Sequence, residues 1–380
     1  MRRTFIITVL AALAALTGPT SGLTTASAAT QPSRIFYSGC PGDYSDGSCL
    51  APGGEIYPTE LFSITPSGGD VNQITHNSDF EQDLTFSPSG GLTVFEKGSS
   101  QIECDYASHL ARVRTEGAED HDVTAPGNYR CDEPSDWSPD GGRLLFTREG
   151  NLCMDIMVIQ VNGAASRSLT HICDQNDPDQ YAYDGNWARD GKRIVYGVNA
   201  YPTTKDGIYV IRADGSYKHK IDYDGRRTGD FEVSPGTHTI AFASYNSKGA
   251  ALYTSNINGS DVRRLTPFLD VTINHVRWSP NGERLVFTGV LGNGMGSLYV
   301  VNRDTSHFKK LDNPQINAVS SREIYGGYWS PNSERIAFGA EAMDYSRHAV
   351  AVVKADGTGV KVLTPYKGGI WVWGWNEVPS

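Results

Sequence analysis

Long apolar runs are nearly missing from this chain. The one such stretch, residues 5–16, falls short of the ~18–20 residues that a membrane-crossing helix needs, which excludes a multispanning membrane protein. Methionine is scarce, 5 residues against 39 Tyr, Phe and Trp. That balance, with 41 Gly in 380 residues, disfavours a helix bundle and favours strands and tight turns. No C-x-x-C pair occurs, so a zinc ribbon or a thioredoxin-type site has no support. Excess positive charge is lacking too: the net charge of −10 argues against binding nucleic acid or anionic lipid. With 39% hydrophobic and 20% charged residues the chain can still build a core. Its length admits two or three domains, or one large all-β domain.

The start of the chain reads as a signal peptide over residues 1–28. Arg2 and Arg3 form a positive region, Phe5 to Leu16 an apolar one, and Ala26-Ser27-Ala28 an A-x-A site, with cleavage after Ala28 or Ala29. Arg2-Arg3-Thr4-Phe5-Ile6 also fits a twin-arginine signal, so both export routes stand. The expectation is a secreted or periplasmic protein whose net charge moves from −10 to about −12 on losing Arg2 and Arg3. Six cysteines, all in the first half, suit disulfides in such a compartment.

What is abundant is repetition. Phe86-Ser-Pro-Ser-Gly, Trp137-Ser-Pro-Asp-Gly, Trp187-Ala-Arg-Asp-Gly, Val233-Ser-Pro-Gly, Trp278-Ser-Pro-Asn-Gly and Trp329-Ser-Pro-Asn-Ser each lead into a short β-branched and aromatic strand. A degenerate copy is anchored at Trp375. The anchors are separated by 51, 50, 46, 45, 51 and 46 residues, a period that marks repeated supersecondary units. Each unit reads as four strands, the third and fourth often joined by Asn-Gly or Asp-Gly, as at Asp214-Gly215 and Asn258-Gly259. In one unit they are 275–279, 284–288, 297–302 and 308–311. Four short strands per repeat is the arithmetic of a β-propeller blade. Residues 34–76 supply three strands (34–38, 60–65 and 71–76) and residues 370–376 the missing first one. The fold expected for residues 29–380 is therefore all-β: a single β-propeller of seven four-stranded blades, closed by the C-terminal strand pairing with the N-terminal strands. Six blades follow if the last strand is not inserted.

Antiparallel partners share a constant index sum, which gives the cysteines a pairing. Cys153 and Cys173 centre on the Asn162-Gly163 turn, Cys104 and Cys131 on 117.5, and Cys40 and Cys49 close a Gly- and Asp-rich loop. Three sequential disulfides are expected, each stabilising by roughly 3 kcal/mol in the chain-entropy model.

The repeat W-S-P-[DN]-G-x-R-[IL]-x-F, with the later Leu169-Thr170, Leu265-Thr266 and Leu363-Thr364, resembles the TolB-type propeller repeat over about residues 34–376. For TolB itself the resemblance implies partner binding in an envelope complex, with an α/β domain ahead of a six-bladed propeller. Here the propeller is expected to begin near the cleavage site without that domain. Related propellers cap serine peptidases, but no G-x-S-x-G elbow occurs here.

Propeller ligands sit at one mouth of the central channel. The residues one and three before each anchor include Asp83, Asp136, Asp184, Asp230 and Glu232, then His275 and Arg277, with Glu81 and Glu133 just outside. Carboxylates from four consecutive blades converge in a closed ring, with His275 and Arg277 on its rim. They can hold a divalent cation such as Ca²⁺, hold a basic segment of a partner, or cap the blade turns. Two of them can also work as an acid/base pair in a sugar-cleaving enzyme. Tyr181, Tyr183, Tyr325 and Tyr328 can stack on sugar rings. The acidic run 174–179 reads as a solvated loop, and the histidines show no metal spacing. Two functions follow. One is a non-catalytic binding module, a monomer, for a protein or glycan ligand of the cell envelope. The other is a carbohydrate-active lyase or hydrolase with its site at the channel mouth. Neither nucleic acid nor membrane insertion is expected, and no cofactor other than Ca²⁺.

Overall fold

The computed structural model describes residues 32–40, 58–98 and 108–379, apart from 119, 128–129, 151–152, 163–164, 176–179, 201–204, 222–226, 313, 320–323, 342–347 and 365–368. All belong to one compact unit, Pro32–Ser380. The expected signal peptide, with its cleavage site, lies outside the described residues.

Strands dominate, in groups of four. Chain order begins with β1 (Ser33–Gly39), β2 (Glu60–Ile64) and β3 (Asn72–Gln73), then β4 (Phe80–Phe86), β5 (Leu92–Gly98), β6 (Ser108–Arg114) and β7 (His121–Asp122). Next come β8 (Cys131–Trp137), β9 (Arg143–Gly150), β10 (Cys153–Gln160) and β11 (Arg167–Ser168), followed by β12 (Gln180–Trp187), β13 (Arg193–Ala200), β14 (Gly207–Arg212) and β15 (His219–Lys220). The fifth group is β16 (Arg227–Val233), β17 (Thr239–Asn246), β18 (Gly249–Asn256) and β19 (Arg263–Arg264). The sixth is β20 (Thr272–Trp278), β21 (Arg284–Val290), β22 (Gly296–Asn302) and β23 (Lys309–Lys310). A short helix, α1 (Pro314–Val319), precedes β24 (Ile324–Trp329), β25 (Arg335–Glu341), β26 (His348–Lys354) and β27 (Lys361–Val362). The last strand, β28 (Trp371–Glu377), returns to pair antiparallel with β1, setting Ile35 opposite Trp375 in a sheet ordered β28-β1-β2-β3. Within each group the strands pair in chain order and antiparallel; one parallel contact, Met154 to Tyr181, joins the β8–β11 and β12–β15 groups. The fourth strands are shorter than the sequence implies, two residues at Lys309–Lys310 against the four expected.

The repeat motif is turn chemistry. The backbone N–H of Leu92, Arg143, Arg284 and Arg335 donates to the hydroxyl of Ser87, Ser138, Ser279 and Ser330 at 3.0, 2.9, 2.9 and 2.9 Å, which fixes the hairpin between first and second strands. The motif Arg then reaches the next group: the Arg143 guanidinium lies 4.5 Å from the Trp187 ring and that of Arg284 lies 4.9 Å from Trp329. A threonine, preceded by Leu at 170, 266 and 364, by Ile at 75 and by Val at 124, closes five of the sheets from the other side. The Thr75, Thr124, Thr170, Thr266 and Thr364 hydroxyls each accept the buried N–H of the residue 14 earlier, at 2.8–3.0 Å.

The core lies between neighbouring sheets. Val94 and Leu110 of one group pack with Trp137, Leu144 and Phe146 of the next. Ile35, Tyr37 and Ile64 pack with Ala337, Val350 and Val352, so the composite sheet is covered by the preceding group. Fully burying one such side chain contributes about 1.5–3 kcal/mol. Cys153 and Cys173 form the expected disulfide, tying the start of β10 to a 3-10 turn at Cys173–Gln175. Cys40 and Cys131 are disulfide-bonded as well; the expected partners Cys49 and Cys104 lie outside the described residues. Among the described residues no helix is long and apolar enough to cross a membrane.

Candidate binding cavity

A kink in each first strand positions the site. The register of β4, β8, β12, β16, β20 and β24 shifts three or so residues before the anchor, where the strand carries extra residues opposite its partner. Such bulges bend a strand and re-aim its side chains. Asp83, Asp184, His275 and Gly326 occupy this position with φ of 46°, 52°, 52° and 69°. Left-handed backbone favours Gly, Asn, Asp and His. The acidic residues three before an anchor are thus in part a backbone requirement.

One cavity of about 1220 Å³ is lined by β4, β8, β12, β16, β20, β24 and β28 together. Asp83, Asp136, Asp184, Asp230, Glu232, His275 and Arg277 all line it. The seven residues divide by their partners. Asp136 Oδ2 accepts the Trp187 N–H at 2.7 Å, Asp230 Oδ2 accepts that of Val276 at 3.3 Å, and Glu232 Oε2 accepts that of Trp278. Each ties its own first strand to the next one, which is a capping role. Burial pushes Asp136 and Glu232 up to about 7 and Asp230 to about 6.

His275 and Arg277, expected on the rim, line the cavity itself. Burial opposes the charge of Arg277, but Glu232, Tyr328, Asp230 and Asp184 outweigh it and hold the guanidinium above its ordinary pKa. Its Cζ lies 6.0 Å from the Tyr328 ring centroid. His275 is pushed down to about 4, first by burial and then by Arg277, so it is neutral near pH 7.

Asp83 and Asp184 make none of these strand-to-strand bonds. Glu133, placed just outside by the sequence, lines the cavity beside them. Glu96 on β5 was missed; it bonds the Asp83 carboxyl and accepts from Gln82 Nε2 at 2.9 Å. Burial, then Glu96, Glu133 and Asp184, raise Asp83 well above the carboxylate range. Burial, then Glu96, Glu149 and Asp184, push Glu133 up to about 7. These acids repel one another; burial opposes the charge of Asp184 and Arg277 eases it, whereas burial and neighbouring carboxylates act together on Asp83 and Glu133. The missed Glu96 had a signal: Gln82 and Glu96 face each other across a hairpin centred on residue 89.

Glu81 goes elsewhere. Its carboxylate accepts from Asn77 Nδ2 at 2.6 Å, from the Leu61 N–H at 3.1 Å and from Thr75. Of the tyrosines, Tyr328 lines the cavity, whereas the Tyr325 hydroxyl donates to the Ile370 carbonyl at 3.0 Å and the Tyr183 ring covers Gly197. Among the described residues no three His, Cys, Asp or Glu side chains are gathered as a metal ion requires.

Four-stranded antiparallel sheets around a polar cavity lined by their first strands define a propeller-type protein. The family is shown as well: the TolB β-propeller domain model matches residues 124–320, and the chain belongs to that family. A curated, uncharacterized protein of Agrobacterium fabrum is 24% identical over 161 residues, covering 40% of this chain and 52% of the relative, so the chain spans about half of that relative's length. Among solved structures, TolB from Acinetobacter baumannii aligns with a TM-score of 0.51 at 18% identity, over 73% of this chain and 62% of that one. An oligogalacturonate lyase from Vibrio parahaemolyticus gives 0.56 at 13%, over 88% and 86%. A puromycin-hydrolyzing peptidase of Mycobacterium tuberculosis gives 0.63 at 12%, over 92% and 54%. At these identities the likeness is one of fold.

Proposed function

We propose that this protein is an exported, monomeric, seven-bladed TolB-type propeller, closed by β28 on β1, that binds a basic segment of a partner in its central channel. The observation that carries this reading is the gathering of Asp83, Glu133 and Asp184 in the cavity, with Glu96 bonded to Asp83. Carboxyls that repel one another in a cavity of about 1220 Å³ favour an incoming cation. A lysine- or arginine-bearing peptide suits these carboxyls better than Ca²⁺, since no three ligating side chains are gathered among the described residues. The Cys153–Cys173 disulfide supports an oxidising compartment.

The test is calorimetric titration with an oligolysine peptide. The native protein should bind it, more weakly as salt rises, and Asp83→Asn/Glu133→Gln should weaken binding by roughly tenfold or more. Asn accepts the left-handed backbone at position 83, so the variant keeps the fold. Equal binding by the variant, or binding indifferent to salt, would sink the proposal. Persistence of binding in EDTA separates a peptide site from a Ca²⁺-dependent one. A carbohydrate-active enzyme is the second reading, favoured by the neutral His275 beside Arg277 in the same cavity. Unsaturated or reducing products released from acidic polysaccharides by the native protein, and not by Arg277→Lys, would establish it instead.

A further inference from the structure

The residue two before the fourth strand is left-handed in five groups. It is Asp70 (φ 46°), Tyr217 (56°), Asp261 (58°), His307 (54°) and Gly359 (66°). Asp, His and Gly tolerate this conformation; a bulky aromatic does so at a cost. Tyr217 is 71% exposed, so core packing does not compensate its strain. The Arg212 guanidinium lies 3.6 Å from its ring centroid, which presents the ring as a platform. The surrounding hairpin, residues 212–220, carries Arg212, Lys218, His219 and Lys220 against a single acid, Asp214. Asp214 is turned inward on its own loop, accepting from the Ser216 N–H at 2.9 Å and the Ser216 hydroxyl at 2.6 Å. Arg167 of the preceding group adds a further cation, donating to the Ala213 carbonyl at 2.6 Å. Residues 212–220 are thus net positive in a chain of net charge −10, with Asp222 and Asp224 following in sequence and with burial, then Asp155 and Lys205, acting on Lys218.

We infer that the Tyr217 hairpin is a second binding site, distinct from the channel, for an acidic polysaccharide. A pyranose ring would lay its C–H face on Tyr217, and the carboxylates along the chain would meet the Arg and Lys side chains. Strain held at an exposed aromatic is the kind of local cost that persists at ligand sites. The disulfide argues for an oxidising compartment, where surface polysaccharides rather than nucleic acids are the polyanions at hand.

Affinity electrophoresis of the full chain in gels containing alginate, with neutral dextran as control, tests this. The native protein should be retarded by alginate only, and less so as salt rises. Tyr217→Phe should behave as native. Tyr217→Gly should melt at the same temperature or higher, because the backbone strain is relieved, yet bind alginate roughly tenfold more weakly. Lys218→Gln/Lys220→Gln should lose much of the salt dependence. The inference is overturned if the native protein is not retarded, if Tyr217→Gly is retarded like the native protein, or if a single-stranded oligothymidylate displaces alginate from the site.

Discussion

Glu133 illustrates how a side chain in the proposed binding cavity can lower stability. Its pKa is pushed up to about 7 from the ordinary 4.5, chiefly by burial and then by neighbouring carboxylates. Between those two values the folded protein holds a proton that the unfolded chain has released. The associated stability is complete below the ordinary value and is lost as the pH rises towards 7. Glu133→Gln removes this titration. The variant is expected to melt above the native protein at pH 8 and to match it at pH 4; identical melting at both would show that Glu133 is not held in this environment. The sequence made the acids at the first strands legible, because the anchors number them. It left two things hidden. The Arg277 guanidinium is flanked by carboxylates from several strands, which depends on how the strands are brought around the cavity rather than on position along any one of them. For Asp136, Asp230 and Glu232 the sequence left ligand and cap both open, because the N–H groups they bond lie 46–51 residues away.

At the scale of elements, the sheets are held by side chains that replace missing ladder bonds. Thr266 Oγ1 accepts the Leu252 N–H at 3.0 Å in a buried setting, so Thr266→Val leaves that donor unpaired. An unsatisfied buried donor costs about 1–3 kcal/mol, and urea unfolding should show a lower midpoint by that amount; an unchanged midpoint would refute the staple. The cap at position 136 is graded in the same way: Asp136→Asn keeps an acceptor for the Trp187 N–H and should be mild, whereas Asp136→Ala should cost more. The Leu-Thr pairs at 169–170, 265–266 and 363–364 were readable as repeat punctuation, since they recur at one place in three of the periods. Their work as a bond to a strand 14 residues back was not, because the sequence shows the recurrence of a residue and not its partner. The fourth strands were overestimated for a related reason. Only two residues of each pair with the third strand, and in five groups a Thr hydroxyl serves the N–H that a longer strand would have met.

At the scale of the whole Pro32–Ser380 unit, the two ends of the chain complete a single sheet. The sequence showed this because residues 34–76 lack a first strand and residues 370–376 are a strand with nothing after it. The rim repeats the join: Lys361 Nζ donates to the Ser67 carbonyl, as Lys309 Nζ donates to that of Asp356 one group earlier, at 2.6 Å. Removing residues 371–380 would strip β1 of one of its two partners and expose an unpaired edge. The truncated protein is expected to aggregate or to lose cooperative melting, and a truncated protein with the native melting temperature would contradict closure.

That same pairing sets an order of events in biosynthesis. Ile35 has its backbone partner in Trp375, roughly 340 residues later in the chain. At about 5–20 residues per second, the strand that opens the sheet waits on the order of 20–70 seconds for the one that covers it. Throughout that interval the nascent protein carries a bare edge of unpaired N–H and C=O groups beside the apolar side chains of Ile35 and Tyr37. β28 is the strand that removes this hazard, so synthesis that stalls before it leaves a chain still able to pair with its neighbours.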